Sequence, residues 1–564
     1  AHFVPAAYVT LPELPLLPNG KIDRAALPEP DLRSDAPGRA PATPHERLVA
    51  DIWRDVLGIA DVGADDDFFS LGGHSLLAIR LAHRLGTATG TTVPVRLVFD
   101  HPTVAELAAN LPAANGTPDP IPVLDREPGP DGTLVLPAST GQERLWVLCR
   151  LDHRANLAYH ITGAARISGP LDVEVLRTAL HHTAQRHEAL RTSLREVDGT
   201  VLQVIAPQPD VPLVLVDTED WAQVVADEAE HTFDITTGPL WRVTLVRAAT
   251  DEHVLVLNLH HAVADGWSLD LVLREIAERY AAMTGTTAEP APLQYADFAR
   301  WQRNRAADDL PFWRDHLDGA VPLDLPTDRP RPARQTYRGD TVPLDLPSDA
   351  VRTAARTVGA TAFTVLATAL TTVLTKLTGR YDVTIGTPAA GRDHPALADV
   401  VGFVVDTLPL RLVTTPDTTL SSALRNARDT VDRVRAHQRI SFEELVRDLH
   451  PDRDRSRSPL FGVLLAVNGT PPRYHLPGLL VDPVPVPRRA VPFDLVVQVE
   501  ERDGTLTGHL AFNTDLFDAA TARTIADRLR TTIEAIASTP DRSIAELDVA
   551  GSVERVRRAE LSVS

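Results

Sequence analysis

VLVLNLHHAVADGWS, residues 254–268, predicts the class of fold. Val254–Leu259 consists almost wholly of valine and leucine, which is typical of a buried strand. After the two histidines, apolar residues recur at helical spacing, at Leu269, Val272, Leu273, Ile276, Tyr280 and Met283. The pattern therefore indicates a strand, a loop and a helix in that order. In α/β proteins, loop backbone and side chains converge beyond the strand ends, so we expect chemistry at this junction.

The loop carries His260, His261 and Asp265. Successive side chains of a strand point to opposite faces. A strand that continues this far would place His261 on the side of Leu257 and Leu259 and turn His260 the other way. Metal ligands must converge, so we predict no metal site here. Two roles stay open for Asp265, as the N-cap of the following helix or as the buried partner of an arginine.

A second motif, DDFFSLGGHS, occupies residues 66–75. Its two glycines permit a tight, open turn, and Ser75 lies at the start of a predicted helix. The free N–H groups and the positive dipole end of a helix N-terminus would stabilise a phosphodiester attached there. A simple N-cap is the other interpretation of Ser75. A serine-hydrolase elbow is less favoured, because Leu77 stands where G-x-S-x-G has its second glycine.

Composition excludes several classes of function. The chain has 564 residues, 43% hydrophobic and 23% charged, with a net charge of −20, which disfavours nucleic acid and anionic membranes as partners. Cys149 is the single cysteine, so internal disulfides and thiolate metal clusters are excluded and a reducing, cytoplasmic compartment is expected. The most apolar stretch, residues 360–377, is rich in threonine and is predicted to be a buried helix rather than a membrane span.

Proline-rich, polar stretches at residues 28–44 and 112–132 are predicted to be linkers. Between them, capping boxes at Thr43–Glu46 and Thr103–Glu106 begin helices, and the segment is expected to form a small helical bundle. The chain begins at Ala1 without an initiator methionine, and we expect it to be a piece of something longer.

The run from Asp66 to Leu76 resembles the carrier-protein (thiolation) motif of non-ribosomal peptide synthetases. The resemblance implies that Ser75 carries a 4′-phosphopantetheine arm, attached by a separate phosphopantetheinyl transferase. Residues 14–24, LPLLPNGKIDR, resemble the last motif of an adenylation domain. In an intact domain of that kind Lys21 would contact the aminoacyl-adenylate. With only the tail present, we expect no activation activity.

His260–Gly266 resembles the HHxxxDG signature of condensation domains and their chloramphenicol-acetyltransferase-like relatives. Other motifs of that family are matched in order and spacing at residues 139–146, 186–192, 295–301, 385–408, 437–442 and 455–461. Three positions depart from the common pattern: Leu259 replaces methionine, Leu194 phenylalanine and Asp406 asparagine. The change at Asp406 could alter hydrogen bonding near the C-terminal lobe.

The resemblance implies formation of an amide between a thioester on this carrier and an amine on a downstream acceptor carrier. His261 is expected to bond and orient the amine, as a base or as a positioning group, since an ordinary histidine pKa near 6.5 suits either task. Gly266 would allow close backbone approach and direct its N–H at the developing oxyanion. His260 is expected to be structural.

The resemblance also assigns an architectural role to Asp265, as half of an ion pair. Arg392 is the first candidate for its partner and Arg191 the second. Trp146 and Trp267 are expected to pack in the core rather than touch substrate.

The expected fold is multidomain: an all-α four-helix carrier bundle, then a two-lobed α/β domain of the chloramphenicol-acetyltransferase type with His261 in a tunnel between the lobes. The expected boundaries are an adenylation tail (1–33), a linker (34–42), the carrier (43–112), a linker (113–133), the N-terminal lobe (134–308) and the C-terminal lobe (309–564). An upstream adenylation domain is an expected partner, whereas nucleic acid and membrane are not.

Two other functions stay open for the large domain. Epimerisation domains usually lack the Gly-Trp-Ser of residues 266–268 and follow a carrier with GGDS, where this chain has GGHS. Condensation-like domains that only recruit a partner enzyme tend to have a damaged HHxxxDG motif, and this motif is intact.

Overall fold

A computed structural model describes residues 39–551, apart from residues 58, 60, 69–70, 72–74, 90, 92, 94–96, 99–100, 112–119, 283–289, 306–307, 393, 450–453, 470–473, 475 and 503–504. The chain divides into two compact units, residues 1–117 and 118–564. The predicted adenylation tail, with Lys21, lies outside the described residues.

The first unit is a small all-α bundle. Its helices are α1 (Pro44–Leu57), α2 (Ser75–Thr89) and α3 (Val104–Ala109), and residues 97–98 are also helical. The capping box predicted for α1 is present: the Glu46 N–H donates to Thr43 Oγ1 at 3.1 Å, and the Thr43 N–H donates to Glu46 Oε2 at 3.0 Å. Trp53 and Phe68 meet edge to face at 5.0 Å in a core that a bundle of this size can bury.

The second unit begins with the N-terminal lobe. Its helices are α4 (Thr140–Leu151), α5 (His153–Ala158), α6 (Val173–Arg186), α7 (Trp221–Ala229), α8 (Gly266–Ala282) and α9 (Tyr295–Asn304). Its strands are β1 (Leu134–Pro137), β2 (His160–Ser168), β3 (Thr192–Val197), β4 (Thr200–Ile205), β5 (Leu213–Asp217), β6 (Trp241–Ala249) and β7 (Glu252–His260).

The C-terminal lobe follows. Its helices are α10 (Leu310–His316), α11 (Ser348–Val358), α12 (Ala362–Thr378), α13 (Leu420–Ala436), α14 (Phe442–Leu449) and α15 (Ala519–Ser538). The strands in this part of the chain are β8 (Gly339–Asp345), β9 (Asp382–Ala389), β10 (Asp406–Val413), β11 (Val463–Asn468), β12 (Leu480–Val484), β13 (Leu495–Arg502) and β14 (Thr505–Asn513).

Each lobe is built on a mixed sheet with packed helices. The N-terminal sheet has the strand order β12-β2-β7-β6-β5, and the C-terminal sheet has the order β10-β9-β11-β13-β14-β8. A small third sheet, β1-β4-β3, lies beside the first lobe. The predicted strand Val254–Leu259 is the centre of β7, which is hydrogen-bonded on both sides and therefore buried.

The C-terminal part of the chain contributes segments to the N-terminal lobe. Strand β12, within the range expected for the C-terminal lobe, pairs antiparallel with β2 and forms an edge of the N-terminal sheet. Residues Leu397, Val400 and Phe403 also pack in the core of the N-terminal lobe. The boundary expected at residues 308–309 therefore divides the chain but does not separate the two sheets.

Part of the predicted 113–133 linker is anchored to the second unit. The Arg126 guanidinium donates to Asp297 and Glu188, and the Leu124 N–H donates to Asp297 Oδ1 at 2.8 Å. Ile121 is buried in the same core. Asp297 is fully buried, and a buried carboxylate requires such a cation and such donors. This stretch therefore belongs to the fold of the second unit.

Helix α12 coincides with the apolar stretch predicted to be a buried helix, and residues 364–375 are all buried. Four of its threonines donate their hydroxyls to carbonyls within the helix, as Thr368 does to the Thr364 carbonyl at 2.8 Å; the others are Thr371, Thr372 and Thr378. No single helix in the described part of the chain is long and apolar enough to cross a membrane; α11 and α12 meet the length and composition criteria only as a pair bent by 103°.

Candidate active site

The HHxxxDG segment forms the junction between β7 and α8. The strand ends at His260, residues 261–263 turn, and the helix begins at Gly266. The His261 N–H donates to the Tyr159 carbonyl at 2.8 Å, which holds the turn against the residue preceding β2. Because the strand stops one residue early, the alternation that would have placed His261 with Leu257 and Leu259 does not extend to it.

His260 is fully buried and lies within the N-terminal lobe. Its Nδ1 accepts the Ala262 N–H at 3.1 Å, so the ring proton sits on Nε2, 3.7 Å from Cys149 Sγ. Burial, with a further contribution from His160, lowers the pKa of His260 well below its usual value. The imidazole is neutral and its polar atoms are used within the fold.

His261 has a different environment. Its Nδ1 lies 3.2 Å from the Ala264 carbonyl oxygen, which can only accept, so Nδ1 carries the proton and Nε2 keeps a lone pair. The ring lies 5.3 Å from Phe403 and 6.4 Å from Tyr159. Burial lowers the pKa of His261 to about 4, against the opposing charge of Asp265. At neutral pH the side chain is therefore an uncharged hydrogen-bond acceptor.

Asp265 is 1% exposed and serves both roles that the sequence left open. As a helix cap, its Oδ1 accepts the Ser268 N–H at 2.7 Å. As an ion-pair partner, it accepts hydrogen bonds from Arg392 Nη2 on both carboxylate oxygens, each at 3.1 Å. Oδ2 also accepts the N–H groups of Val404 and Val405 at 3.1 Å. The carboxylate is thus a node that joins α8 to the segment before β10.

Arg392, the first candidate for this partner, is also buried. Its Nη1 donates to the carbonyls of Leu397 and Val400, so this one guanidinium binds both Asp265 and the loop between β9 and β10. Burial lowers the pKa of Arg392, and Asp265 opposes that shift. Arg191, the second candidate, donates instead to the carbonyl of Ala206, the residue that follows β4.

Residues from the other matched motifs stabilise this junction through hydrogen bonds and packing. Gln142 Nε2 donates to the Ala262 carbonyl at 2.8 Å, inside the turn that carries His261. The Tyr295 hydroxyl donates to the Phe403 carbonyl at 3.0 Å and lies 2.7 Å from Ser139 Oγ. A Cβ at Gly402 would lie 2.0 Å from the Tyr295 ring, so only glycine fits there.

Gly266 is exposed, and a Cβ at this position would meet no atom within 4 Å. As the first residue of α8, its N–H is one of those that a helix leaves without an internal acceptor. Trp267, beside it, donates from Nε1 to the Ala398 carbonyl at 2.8 Å, and Trp146 is buried in the lobe core. Both tryptophans pack within the fold.

Asp406, the departure noted in the sequence, lies at the start of β10. Its Oδ1 accepts the N–H groups of Thr407 at 2.7 Å and Phe442 at 3.1 Å. Burial and the nearby Glu443 raise the pKa of Asp406 to about 7. Glu443 in turn lies 3.1 Å from Arg144 on α4 and joins the two lobes. The sequence analysis did not predict this ion pair between the lobes, because the two residues lie far apart in the chain and no sequence pattern links them.

The carrier offers a fitting attachment point for a phosphodiester. Ser75 is the first residue of α2, a 15-residue helix, so it lies where free N–H groups and the helix dipole favour an anion. Elsewhere, among the residues described, no group of three or more histidine, cysteine, aspartate or glutamate side chains could hold a metal ion.

Comparison with known proteins identifies the class. Residues 134–557 match the condensation domain family and residues 47–111 match the family described as a phosphopantetheine attachment site. The chain belongs to the condensation domain family, and a phosphopantetheine-bearing carrier precedes that domain. More particularly, it is a carrier–condensation fragment of the non-ribosomal peptide synthetase type, because its relatives are synthetases of that kind.

The chain is 38% identical over 97% of its length to a dimodular nonribosomal peptide synthase of Bacillus subtilis, of which it covers 24%. It is 33% identical over 98% of its length to tyrocidine synthase 3 of Brevibacillus parabrevis, of which it covers 9%. The chain therefore spans a small part of the relatives that it matches.

Solved structures confirm the two-lobed fold. The X-domain from teicoplanin biosynthesis superposes with a TM-score of 0.70 at 30% identity, covering 76% of this chain and 100% of that one. A four-domain nonribosomal peptide synthetase bound to AMP and glycine superposes with a TM-score of 0.67 at 25% identity, covering 75% of this chain and 34% of that one.

Proposed function

We propose that this chain forms peptide bonds: Ser75 carries the donor acyl group, and the condensation domain joins it to the amine of an aminoacyl group on a downstream carrier. The observation that carries the proposal is the free Nε2 of His261. It is an uncharged acceptor at neutral pH, held by the contact of Nδ1 with the Ala264 carbonyl. An attacking amine needs such an acceptor for one of its hydrogens.

The phosphopantetheine arm supplies the thioester whose C–S bond is replaced by the amide C–N bond. The position of Ser75 at the N-terminus of α2 supports it as the attachment residue, because the phosphodiester would face free N–H groups. A separate phosphopantetheinyl transferase would install the arm, and an upstream adenylation domain would supply the amino acid.

His261 acts chiefly by positioning. An imidazole with a pKa near 4 cannot hold a proton taken from an alkylammonium ion, so the amine must arrive neutral. Nε2 then accepts the amine N–H and orients the nitrogen lone pair toward the carbonyl carbon. Orientation of two reactants alone removes several kcal/mol of the barrier, about 7 or more in favourable cases. Once the C–N bond has formed, the nitrogen becomes strongly acidic, and the proton that it loses passes by way of Nε2 to the thiolate that leaves as the C–S bond breaks.

Asp265 supports this geometry without touching the reactants. Its carboxylate is saturated by Arg392, Ser268 and two backbone N–H groups, so it has no capacity for proton transfer. It fixes the start of α8, where the Gly266 N–H is available to a developing oxyanion. The open space at Gly266 supports this role, since no protein atom occupies it.

A second candidate is recruitment of a partner enzyme without chemistry. It is favoured by the similarity to the teicoplanin X-domain, which has also been solved as a complex with OxyB. The histidine arrangement argues against it, because both imidazoles, Asp265 and Gly266 are in place. Epimerisation remains the third candidate.

One mass-spectrometric experiment separates these functions. Ser75 is loaded with an aminoacyl-phosphopantetheine, a loaded acceptor carrier is added, and the products are released and weighed. Dipeptide formation that is lost in His261→Ala, while Ser75 loading persists, is the expected result. Where no dipeptide forms, chiral chromatography of the released donor separates the other two functions: a racemised donor would indicate epimerisation, and unchanged donor and acceptor in the wild-type protein would indicate recruitment.

A further inference from the structure

Tyr159 contacts His261 in two ways. Its carbonyl accepts the His261 N–H at 2.8 Å, and its ring meets the imidazole edge to face, with the ring centroids 6.4 Å apart at an interplanar angle of 79°. Any residue at position 159 would make the first contact, because it belongs to the backbone. The second contact depends on the aromatic side chain, since edge-to-face rings at this separation attract one another.

The imidazole of His261 needs more than its one hydrogen bond to be held in a single orientation. The contact of Nδ1 with the Ala264 carbonyl fixes one ring atom, and the χ2 torsion of a histidine is broad and roughly two-fold. Ring contacts with Phe403, at 5.3 Å, and with Tyr159 restrict rotation of the plane. The direction of the Nε2 lone pair therefore depends on where the Tyr159 ring lies.

The guanidinium of Arg144, on α4, contacts the Tyr159 ring. Its Cζ lies 5.9 Å from the centroid of that ring and 5.5 Å from the centroid of the Phe442 ring, both within the range of a cation–π interaction. Its Nε lies 3.1 Å from Glu443 Oε1. Tyr159 and Arg144 belong to the N-terminal lobe, whereas Phe442 and Glu443 begin α14 of the C-terminal lobe. One guanidinium is thus shared between an aromatic ring of each lobe.

The start of α14 is held in place within the C-terminal lobe. The Phe442 N–H donates to Asp406 Oδ1 at 3.1 Å, and the Phe442 ring packs against Phe461 at 5.6 Å. The side chains of Arg144 and Glu443 are 24% and 14% exposed, so water screens their attraction less than that of a surface pair. Separation of the lobes at α14 would remove the carboxylate and one of the two rings from Arg144.

We propose that Arg144 and Tyr159 are positioning residues that make the orientation of His261 depend on contact between the two lobes. Arg144, bound to α14 of the C-terminal lobe, keeps the Tyr159 ring against the imidazole, and Nε2 then points at the attacking amine. The inference rests on the proposed peptide-forming function. Orientation takes effect in the transition state, so its loss lowers kcat more than it changes KM.

The test measures dipeptide formation by the 564-residue chain, with an aminoacyl donor loaded on Ser75 and an aminoacyl N-acetylcysteamine thioester as acceptor. Tyr159→Leu removes the ring and keeps the backbone carbonyl. We expect kcat to fall about tenfold or more, with the KM of the acceptor changed by less than about threefold. Tyr159→Phe keeps the ring and should retain at least about half of the wild-type kcat. Wild-type kcat in Tyr159→Leu, or an equal fall in Tyr159→Phe, would overturn the inference.

Arg144→Met should also lower kcat about tenfold, and Arg144→Lys should retain part of the rate, because a cation stays near the two rings. Arg144→Met/Glu443→Gln leaves no buried carboxylate without a partner and should show the same loss as Arg144→Met. Arg150→Met is the matched control. Arg150 lies on the same helix with its Cζ 5.5 Å from the Trp146 ring, but this contact lies within α4 and its loss should leave kcat unchanged. Wild-type kcat in the double variant, or an equal loss in Arg150→Met, would contradict the proposal.

The His261→Ala background separates positioning from a purely structural role. A residue that acts through His261 has no further effect once the imidazole is gone, because groups that act as a unit are not additive. Tyr159→Leu should therefore leave the residual rate of His261→Ala unchanged within about twofold. The same loss in both backgrounds would show that the ring does not act through His261.

The proposed function and this inference fail differently. If the wild-type chain forms no dipeptide, peptide formation itself is contradicted. The rate at which diethylpyrocarbonate modifies His261, read by mass spectrometry, then decides the positioning, because the reagent attacks an unprotonated nitrogen that is free to present itself. An increase of about twofold or more in Tyr159→Leu and in Arg144→Met, with none in Arg150→Met, supports the inference. Equal rates in all of these proteins would refute it.

Discussion

His261 Nδ1 lies 3.2 Å from the carbonyl oxygen of Ala264, within the same turn. A carbonyl cannot donate, so this contact places the ring proton on Nδ1 and leaves Nε2 unprotonated. The backbone of the HHxxxDG motif thereby selects the tautomer of its own second histidine. In many hydrolases a carboxylate does this, but here Asp265 is committed to Arg392 and to the backbone.

His261→Ala should reduce peptide formation by about 10²–10⁴-fold while Ser75 loading and thermal unfolding stay unchanged. His181→Ala, which removes a histidine from α6, is the control and should retain wild-type turnover. A fall of less than about threefold for His261→Ala across several acceptors would contradict a chemical role.

The pH dependence should follow from the pKa of His261, which burial lowers to about 4. The neutral ring is the active form, so activity is retained as pH falls until protonation of Nε2 begins. We expect kcat/KM for the acceptor, corrected for the neutral fraction of its amine, to be constant from about pH 8 to about 5 and to fall below that. An acid limb centred near 6.5, the ordinary histidine value, would contradict the lowered pKa.

Arg392→Met should destabilise the condensation domain by about 3–5 kcal/mol, because it removes one partner of a buried ion pair and leaves the buried Asp265 without its cation. Chemical denaturation measures the loss. Arg247→Met is the control, since its pair with Asp217 is exposed on both sides, and the cost there should be under about 1 kcal/mol. Similar losses in the two variants would show that the buried pair is not a structural node.

Replacement of two glycines of the site by alanine should have different effects, on stability at Gly402 and on peptide formation at Gly266. Gly402→Ala forces a Cβ into the Tyr295 ring, and we expect a loss of unfolding free energy of about 1–3 kcal/mol or more. Gly266→Ala meets no protein atom, so stability should change by less than about 1 kcal/mol, whereas peptide formation should fall. Wild-type turnover in Gly266→Ala would contradict close substrate approach to this residue.

Asp406→Asn restores the residue common in the family and should stabilise the protein above neutral pH. The folded-state pKa of Asp406 is raised to about 7, so between its unfolded value near 3.8 and about pH 7 the folded state holds an extra proton. Unfolding free energy therefore falls as pH rises through that window and is level above it. The neutral amide can keep both backbone hydrogen bonds.

For Asp406→Asn we expect a gain of about 1–2 kcal/mol at about pH 8, less than the full shift since the side chain is partly exposed. Denaturation curves at about pH 5 and about pH 8 measure it. A variant that is equally destabilised at both values would contradict the protonation argument.

Arg126→Ala should release the segment before β1 from the condensation domain. Asp297 would lose its cation and the N–H of Leu124 would lose its fixed acceptor geometry. Thermolysin cleavage between residues 120 and 126 should accelerate, with the sites read by mass spectrometry. Arg166→Ala, which breaks an exposed pair with Glu252, should leave the cleavage rate unchanged.

The sequence predicted the features that are local in the chain. A strand before His260, a helix after Asp265 and helix starts at Thr43 and Thr103 all follow from periodicity and capping chemistry. The pairing of Asp265 with Arg392 was anticipated only through the family resemblance, since 127 residues separate them.

Features that depend on distant contacts were not predictable in this way. The strand β7 ends at His260 where the chain turns, with the Val263 N–H donating to the His260 carbonyl at 3.0 Å, and no periodicity encodes that turn. Burial, which decides the pKa of His261 and of Asp406, is likewise a property of the whole fold.

The exchange of β12 between the lobes limits how this domain can be cut or recombined. A fragment that ends after residue 308 would keep β2 and lose its edge partner, exposing unpaired N–H and C=O groups along Ala164–Ser168. Such an open edge is a template for aggregation. Swaps of half-domains between synthetases should therefore transfer residues 480–484 together with the N-terminal lobe that they complete.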